Sequence, residues 1–191
     1  MSLERQPTTL DYASPTQFRL VINQLPKTEF FVTACNLPGI SLGETNFPTP
    51  LKPIPIQGDE LTFENLTMSF LVDENLENYK ELHDWLLAIG FPQSRKQFRD
   101  FRSEKAVVSN TTQGTSLDIG DVKKSTAVRP MFSDATLTVL SNKNNPVVEV
   151  RFQDLSPLTL GALNFDQDAA DVQYLKTTAD FTYTYYQIVK L

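Results

Sequence analysis

The sequence has few of the residues on which catalysis, metal binding and disulfide cross-linking depend. It contains one cysteine, Cys35, and one histidine, His83, which excludes an internal disulfide and any multi-cysteine metal site. Nothing beside Cys35 in sequence would form a thiolate, so we expect a buried, inert thiol. No serine or cysteine nucleophile stands at a recognised spacing from His83, so we expect a surface or interface residue. The sequence therefore predicts no catalytic residue, no metal site and no cofactor.

Long hydrophobic runs and an excess of positive charge are also missing. No segment is apolar for long enough to span a membrane, and residues 1–7 have no signal-peptide core. We therefore expect a protein made and kept in a cytoplasm-like compartment, or assembled from there, with no membrane partner. Lys and Arg number 17 against 23 Asp and Glu, giving a formal net charge of −6. This balance argues against stable nucleic-acid binding, although an acidic wall would let DNA slide past.

The remaining composition is that of a folded domain. The chain has 191 residues, of which 40% are hydrophobic, which is enough to bury a core. Residues 1–16 are polar and show no period, so we expect a flexible N-terminal arm. Residues 17–191 are expected to form a single β domain, with a weakly patterned excursion at 93–133.

Alternation of apolar and polar residues predicts strands along most of this domain. Residues 18–22 and 29–35 are expected to form one hairpin, and residues 135–152 another. The segment 172–189 predicts one closing strand of unusual length. A strand that long either bends at a bulge or continues beyond its own domain.

One helix is predicted between residues 76 and 89. Its apolar residues recur at intervals of three and four, namely Leu76, Tyr79, Leu82, Leu86 and Ile89. Residues 73–75 offer cap candidates, and Gly90 with Pro92 ends the helix. Trp85 lies beside the apolar stripe and is expected to anchor the helix to the core, together with Phe70 of the preceding strand.

The segment 39–57 is rich in proline, with Pro48, Pro50, Pro53 and Pro55. Proline has no amide hydrogen, so this segment can pair along at most one side, as an edge strand or projecting arm does. Two interpretations stay open: a surface loop, or an arm whose Leu51, Ile54 and Ile56 bury against another chain. An arm stiffened by proline loses less entropy on docking.

The residues that follow predict a turn and then a central strand. Gly58 and Asp59 supply the turn. The next strand runs from Leu61 to Val72, and its period shifts between Phe63 and Leu66 in a way that a bulge would absorb.

Several short pieces of the sequence stand in a particular order and spacing. They are Leu37-Pro38-Gly39, residues 54–59 running through Phe63 to Val72-Asp73-Glu74, Asp84-Trp85, Phe152, Pro157, residues 163–166 and residues 171–186. In this order the chain resembles the tail tube and tube-initiator proteins of T4-type contractile-tailed bacteriophages. The resemblance covers most of residues 17–92 and 134–188, and it rests on order and spacing because each piece alone is common.

The resemblance implies a mainly β fold with one flanking helix (α+β), a small antiparallel β-barrel or sandwich. It implies that six copies close into a ring and that rings stack into the tube through which the genome leaves. The implied partners are other copies, tail sheath and baseplate proteins, and DNA in transient passage. The protein would then belong to the virion, after assembly in the host cytoplasm. Candidate contacts between subunits are Leu51, Ile54 and Ile56 in the arm and Tyr183 and Tyr185 in the last strand.

Other roles within and outside this family stay open at this point. The N-terminal arm has no helix of its own and the 93–133 excursion is long, and these departures from the family leave open a repeated tube subunit, an initiator ring or a terminal ring. A tube of a related secretion or injection system is a further alternative. An enzyme with paired carboxylates is disfavoured, because no carboxylate pair stands out from surface charge. A small-molecule barrel is a further alternative, and an interior packed with Phe and Leu would argue against it.

Overall fold

A computed structural model describes residues 12–97, 131–166 and 174–191 of the chain. Most of the expected N-terminal arm, and residues 98–130 of the expected excursion, lie outside these ranges. Within them the strands are β1 (Phe18–Ile22), β2 (Val32–Cys35), β3 (Ile40–Phe47), β4 (Ile54–Phe63), β5 (Leu66–Leu71), β6 (Ser133–Leu140), β7 (Pro146–Leu160), β8 (Lys176–Thr182) and β9 (Tyr185–Lys190). Helix α1 spans Glu77–Gly90, and a 3-10 turn spans Glu29–Phe31.

Two antiparallel sheets that share β7 form the body of the molecule. The first has the order β1-β6-β7-β9 and the second the order β7-β8-β5-β2. The strand changes sheets near Asp154, whose φ of 54° lies in a region that aspartate tolerates better than most residues. The described strands of the two sheets do not close on each other, so the expected α+β fold is confirmed as an open sandwich and not as a barrel.

Strand β5 occupies the interior position that the sequence predicts, between β8 and β2. Its inward residues Leu66, Met68 and Phe70 are fully buried and alternate with half-buried residues. Trp85 of α1 is also fully buried, with its ring centroid 6.3 Å from that of Phe181. Phe70 and Trp85 thus both lie in the core that joins the helix to the second sheet.

Helix α1 has the predicted length and the predicted end, but not the predicted cap. The cap position is taken by Leu76, in a left-handed conformation with φ 57°, whose side chain accepts no hydrogen bond. The buried Asn78 replaces a cap: its Oδ1 accepts from the amides of Asp73 (3.2 Å) and Tyr79 (2.8 Å), and its Nδ2 donates to the Leu71 carbonyl (2.8 Å). No described helix has both the length and the hydrophobicity needed to cross a membrane.

The prediction that residues 18–22 and 29–35 pair as a hairpin is wrong. β1 pairs with β6, whereas β2 pairs with β5 in the other sheet. The amides of Leu25, Thr28 and Phe31 each bond the carbonyl three residues earlier. These successive turns carry the chain from one sheet to the other, so the strand begins at Val32 and not at Glu29.

The predicted turn at Gly58-Asp59 is also wrong, because β4 continues through these residues with a bulge opposite Gly43. The turn lies at residues 48–53, and the pairing of β3 with β4 shifts between Leu42 and Glu44. A Cβ on Gly58 would lie 2.9 Å from the carbonyl oxygen of Gly43. Gly58 is therefore needed for close approach of the two strands and not for a turn.

Two further predicted strands are each divided in the structure. The expected bulge between Phe63 and Leu66 is a break, at which the chain leaves one sheet and enters another. The long closing segment was expected either to bend or to continue beyond its domain, and it bends. β8 pairs in the second sheet, and β9 pairs with the first half of β7 in the first sheet. At the bend, the Thr184 amide donates to the Gln153 carbonyl at 3.0 Å.

Candidate assembly interface

Strands β3 and β4 form a two-stranded hairpin, here called the arm (residues 40–63), that pairs with no other described strand. Seven of its large apolar residues are half exposed or more: Ile40, Leu42, Phe47, Leu51, Ile54, Ile56 and Leu61. Leu51, at the turn, is 100% exposed. The arm is therefore a paired ribbon and not the loop that was the alternative interpretation.

Such a ribbon is not stable as a free surface element. An isolated two-stranded hairpin is marginal in water, and monomers seldom expose an apolar patch of this extent. Its free strand edges would also pair with other chains unless they were covered. The arm thus has the composition of a surface that becomes buried when a partner binds.

The turn at the end of the arm, here called the tip (residues 48–53), is stiffened locally. Pro48, Pro50 and Pro53 restrict its backbone. The Thr49 hydroxyl donates to the Lys52 carbonyl and accepts from the Lys52 amide at 3.3 Å. Because the tip is already ordered, docking it costs less conformational entropy than docking a flexible loop.

The other end of the arm, here called the root (residues 38–39 and 63–64), is bound to the sandwich by two tyrosines. The Tyr183 hydroxyl donates to the Glu64 carbonyl at 2.8 Å, and the Tyr186 hydroxyl donates to the Pro38 carbonyl at 3.0 Å. The Glu64 amide donates to the Gly39 carbonyl at 3.0 Å, which closes the root between these bonds. The direction of the arm is therefore set by the subunit that carries it.

An aromatic cluster packs beneath this root. Phe63 of the arm lies edge to face with Tyr183 and Tyr186, at centroid distances of 6.1 and 5.8 Å. Both tyrosines also contact the buried Phe152, at 5.1 and 5.6 Å. Burial raises the pKa of Tyr183 to about 12, with smaller contributions from Tyr186 and Glu64, so the hydroxyl stays protonated as a donor.

The structure separates the expected contact residues into two groups. Leu51, Ile54 and Ile56 lie together on the exposed arm. Tyr183 lies at the root. The half-buried Tyr185 lies on β9, opposite Gln153 of β7. Their part in contacts between subunits stays a prediction, and the contacts within the chain already account for Tyr183.

Sequence reasoning missed four exposed apolar residues of the arm. They are Ile40, Leu42, Phe47 and Leu61, which stand in cross-strand pairs such as Phe47 with Ile54. The available signal was the apolar residues at 40, 42 and 47. The signal is obscured because Pro38 and Gly39 stand directly before Ile40, and proline and glycine are typical of a break between strands.

Loss of the two root hydroxyls is expected to loosen the arm. The double variant Tyr183→Phe with Tyr186→Phe keeps the rings, and it should lower the free energy of unfolding by about 1–2 kcal/mol. Hydrogen exchange at the Gly39 and Glu64 amides should become faster. Tyr12→Phe is the matched control, because Tyr12 is 85% exposed. Unchanged exchange at the root in the double variant would contradict this role.

The side chains that could take part in acid–base or thiol chemistry lie on different elements: His83 on α1, Cys35 on β2 and Asp180 on β8. His83 is exposed, with its Nδ1 3.5 Å from Asp84 Oδ1. Burial raises the pKa of the Cys35 thiol to about 11, which is the environment of an unreactive cysteine. Asp180 accepts from the hydroxyls of Thr159 and Thr67, both at 2.7 Å, and these bonds lower its pKa. Among the described residues, no three His, Cys, Asp or Glu side chains group as a metal site.

Comparison with known sequences supports one family. Residues 10–189 match the sequence model of the family described as phage tail tube protein. No protein of curated function matches the chain in sequence.

Solved structures with a similar fold come from contractile injection systems. A chain of the sheath-tube complex of the extracellular system PVC, in the extended state, has a TM-score of 0.55 at 11% identity, covering 100% of this chain and 99% of that one. A chain from the PVC sheath/tube terminator has a TM-score of 0.55 at 12% identity, covering 95% and 99%. A chain from the six-fold symmetrised baseplate of the anti-feeding prophage has a TM-score of 0.52 at 10% identity, covering 96% and 97%. At such identities the likeness concerns the fold.

Proposed function

The chain belongs to the phage tail tube protein family, and from that premise we propose that its copies close into six-membered rings that stack as the inner tube of a contractile tail. The family role is structural, and we infer that the protein is not an enzyme. The observation that supports assembly within the molecule itself is the arm. It exposes seven large apolar side chains that a stable monomer would cover.

Ring closure would also pair the free strand edges of the sandwich. In the described part of the chain, β1 and β2 are the terminal strands of the order β1-β6-β7-β8-β5-β2. Strands at a sheet edge pair readily with other chains, and a closed ring of sheets removes such edges. Six copies is the number that the family resemblance implies, and one similar structure belongs to a baseplate with six-fold symmetry.

We further propose the partners and the location that a tail tube requires. The subunit would contact tail sheath and baseplate proteins, and it would enter the virion after assembly in the host cytoplasm. DNA would pass without stable binding, because a formal net charge of −6 opposes adhesion of another polyanion. We also propose that residues 17–191 fold as a single domain.

A second candidate is a ring used once at one end of the tube. The similarity to a chain of a sheath/tube terminator, at a TM-score of 0.55, equals that to a chain of the sheath-tube complex. The same likeness keeps the tube of a related injection system as an alternative. These roles share the ring and differ in whether rings repeat.

Native mass spectrometry tests ring formation in the purified protein. We expect a species of six subunits, each of 21.6 kDa, whose share rises with protein concentration. A strictly monomeric species at high concentration would contradict the proposal.

A further inference from the structure

An open pocket of about 570 Å³ lies beside the start of helix α1. Its apolar lining includes Phe31, Leu71, Val72, Leu76, Phe165 and Tyr174. Phe165 and Tyr174 are 74% and 80% exposed. A concave pocket of this size, apolar with a few polar groups at its side, is the usual kind of surface that receives a ligand group.

The pocket and the arm lie at opposite ends of the second sheet. β5 begins at Leu66, next to the root of the arm, and it ends at Leu71, which lines the pocket. The antiparallel neighbour β8 runs back along it, from Lys176 opposite Leu71 to Phe181 opposite Leu66. Five residue steps at ~3.4 Å place the two ends about 17 Å apart.

The arm is longer than this sheet. β4 has 10 residues, and its nine residue steps at ~3.4 Å span about 30 Å. An arm that begins at one end of the subunit, with its matching surface at the other end, gives a head-to-tail contact. Such heterologous contacts repeat in one direction instead of closing on a pair of copies.

The charges of the tip and the pocket are complementary. Lys52, beside the fully exposed Leu51, is the one charged residue of the tip, and the arm's carboxylates Glu44, Asp59 and Glu60 lie outside the tip. The pocket includes the carboxylates of Asp73 and Glu74. Lys27, close to this region, is already bound to Glu77 at 2.6 Å. Across the ranges the structure covers, neither Lys52 Nζ nor the Glu74 carboxylate has a side-chain partner.

We propose that the arm tip of one copy docks in this pocket of a second copy, with Leu51 in the apolar lining and Lys52 beside Glu74. The proposal rests on the proposed function, since it assigns the contact between successive rings. Leu51 supplies the apolar group and Lys52 the charge that orients the tip.

Cysteine cross-linking between two singly substituted full-length chains tests this contact. Leu51→Cys protein is mixed with Glu74→Cys protein and then oxidised. We expect a covalent heterodimer in the mixture and none with either variant alone. A disulfide needs Cα atoms within about 7 Å, so its formation places the tip at the pocket. Cys35 is present in all samples, and its half-buried thiol, whose pKa burial raises to about 11, should stay protonated and contribute no product.

The control pairs Leu51→Cys with Lys143→Cys, in the exposed turn between β6 and β7. A heterodimer as abundant with Lys143→Cys as with Glu74→Cys would overturn the pocket assignment. A product of Leu51→Cys protein alone would also overturn it, because it would indicate contact between two arms. The absence of any product would overturn it as well, and would mean that the tip does not reach the pocket. Rings seen by mass spectrometry without the 51–74 cross-link would refute the docking and leave the tube role intact.

Charge reversal gives a second, independent readout. Glu74→Lys should lose assembly, as should Lys52→Glu, because each places like charges together at every contact. The two substitutions combined in one chain should restore assembly. If the double variant assembles no better than the single ones, Lys52 and Glu74 are not partners.

Discussion

Leu51→Asp is expected to stop assembly while leaving the subunit folded. Leu51 is 100% exposed, so the substitution removes no packing within the chain. In an assembled tube the same residue would carry a carboxylate into an apolar contact, where burial of an unpaired charge costs several kcal/mol. Each ring repeats the contact, so the effect on polymer formation should be large. Sedimentation velocity with electron microscopy measures the loss of rings and tubes.

Two further variants make this result specific. Ile54→Asp, at a position 54% exposed in the arm, should give the same loss. Lys143→Asp places a carboxylate in the exposed turn between β6 and β7, and it should assemble as the parent does. Circular dichroism should show the folded subunit in all three, and the two arm variants should melt as the unassembled parent does. If both arm variants still polymerise, the arm is only a surface hairpin.

Trp85→Ala is expected to lower the free energy of unfolding by ~3–5 kcal/mol. The indole is fully buried between α1 and the second sheet, beside Phe181. Removing it leaves a cavity that the paired strands cannot fill by collapsing. Since domains of this kind have only ~5–15 kcal/mol of stability, the variant should unfold at much lower urea concentration.

A milder variant separates packing from the loss of a particular group. Trp85→Phe keeps a ring in the core and should cost clearly less than Trp85→Ala. The two midpoints in urea, at equal slope, give the comparison. A loss below ~1 kcal/mol for Trp85→Ala would show that the helix does not depend on this side chain.

The helix was predictable because its signals are local. An apolar stripe with a period near 3.6 and the pair Gly90 and Pro92 define α1 within one stretch of sequence. Its start was less predictable, since the group that satisfies the free amides is Asn78, inside the helix. An asparagine on a buried face does not look like a cap in sequence.

Strand pairing was harder to predict because partners are set by the whole chain. Residues 18–22 and 29–35 both alternate, yet β1 and β2 belong to different sheets. Gly58 shows the same difficulty: a glycine that lets two strands approach closely has the same local sequence as a glycine in a turn. Register decides between the two, and register is not a local property.

The two halves of the proposed contact differ in the same way. The arm could be anticipated, because proline content and exposed apolar residues such as Leu51 and Ile54 stand in one segment. The pocket could not, since Phe31, Leu76 and Phe165 come together only through the fold. A surface formed by residues that are far apart in sequence has no local pattern from which it could be predicted.

Electron microscopy of the assembled protein tests the central claim most directly. We predict six-fold rings stacked in one direction, with the arm of each subunit extending to the next ring. Stacking of several rings would identify a repeated tube subunit, and single rings would identify an initiator or terminal ring. Particles without rings, or rings whose arms contact nothing, would contradict the account.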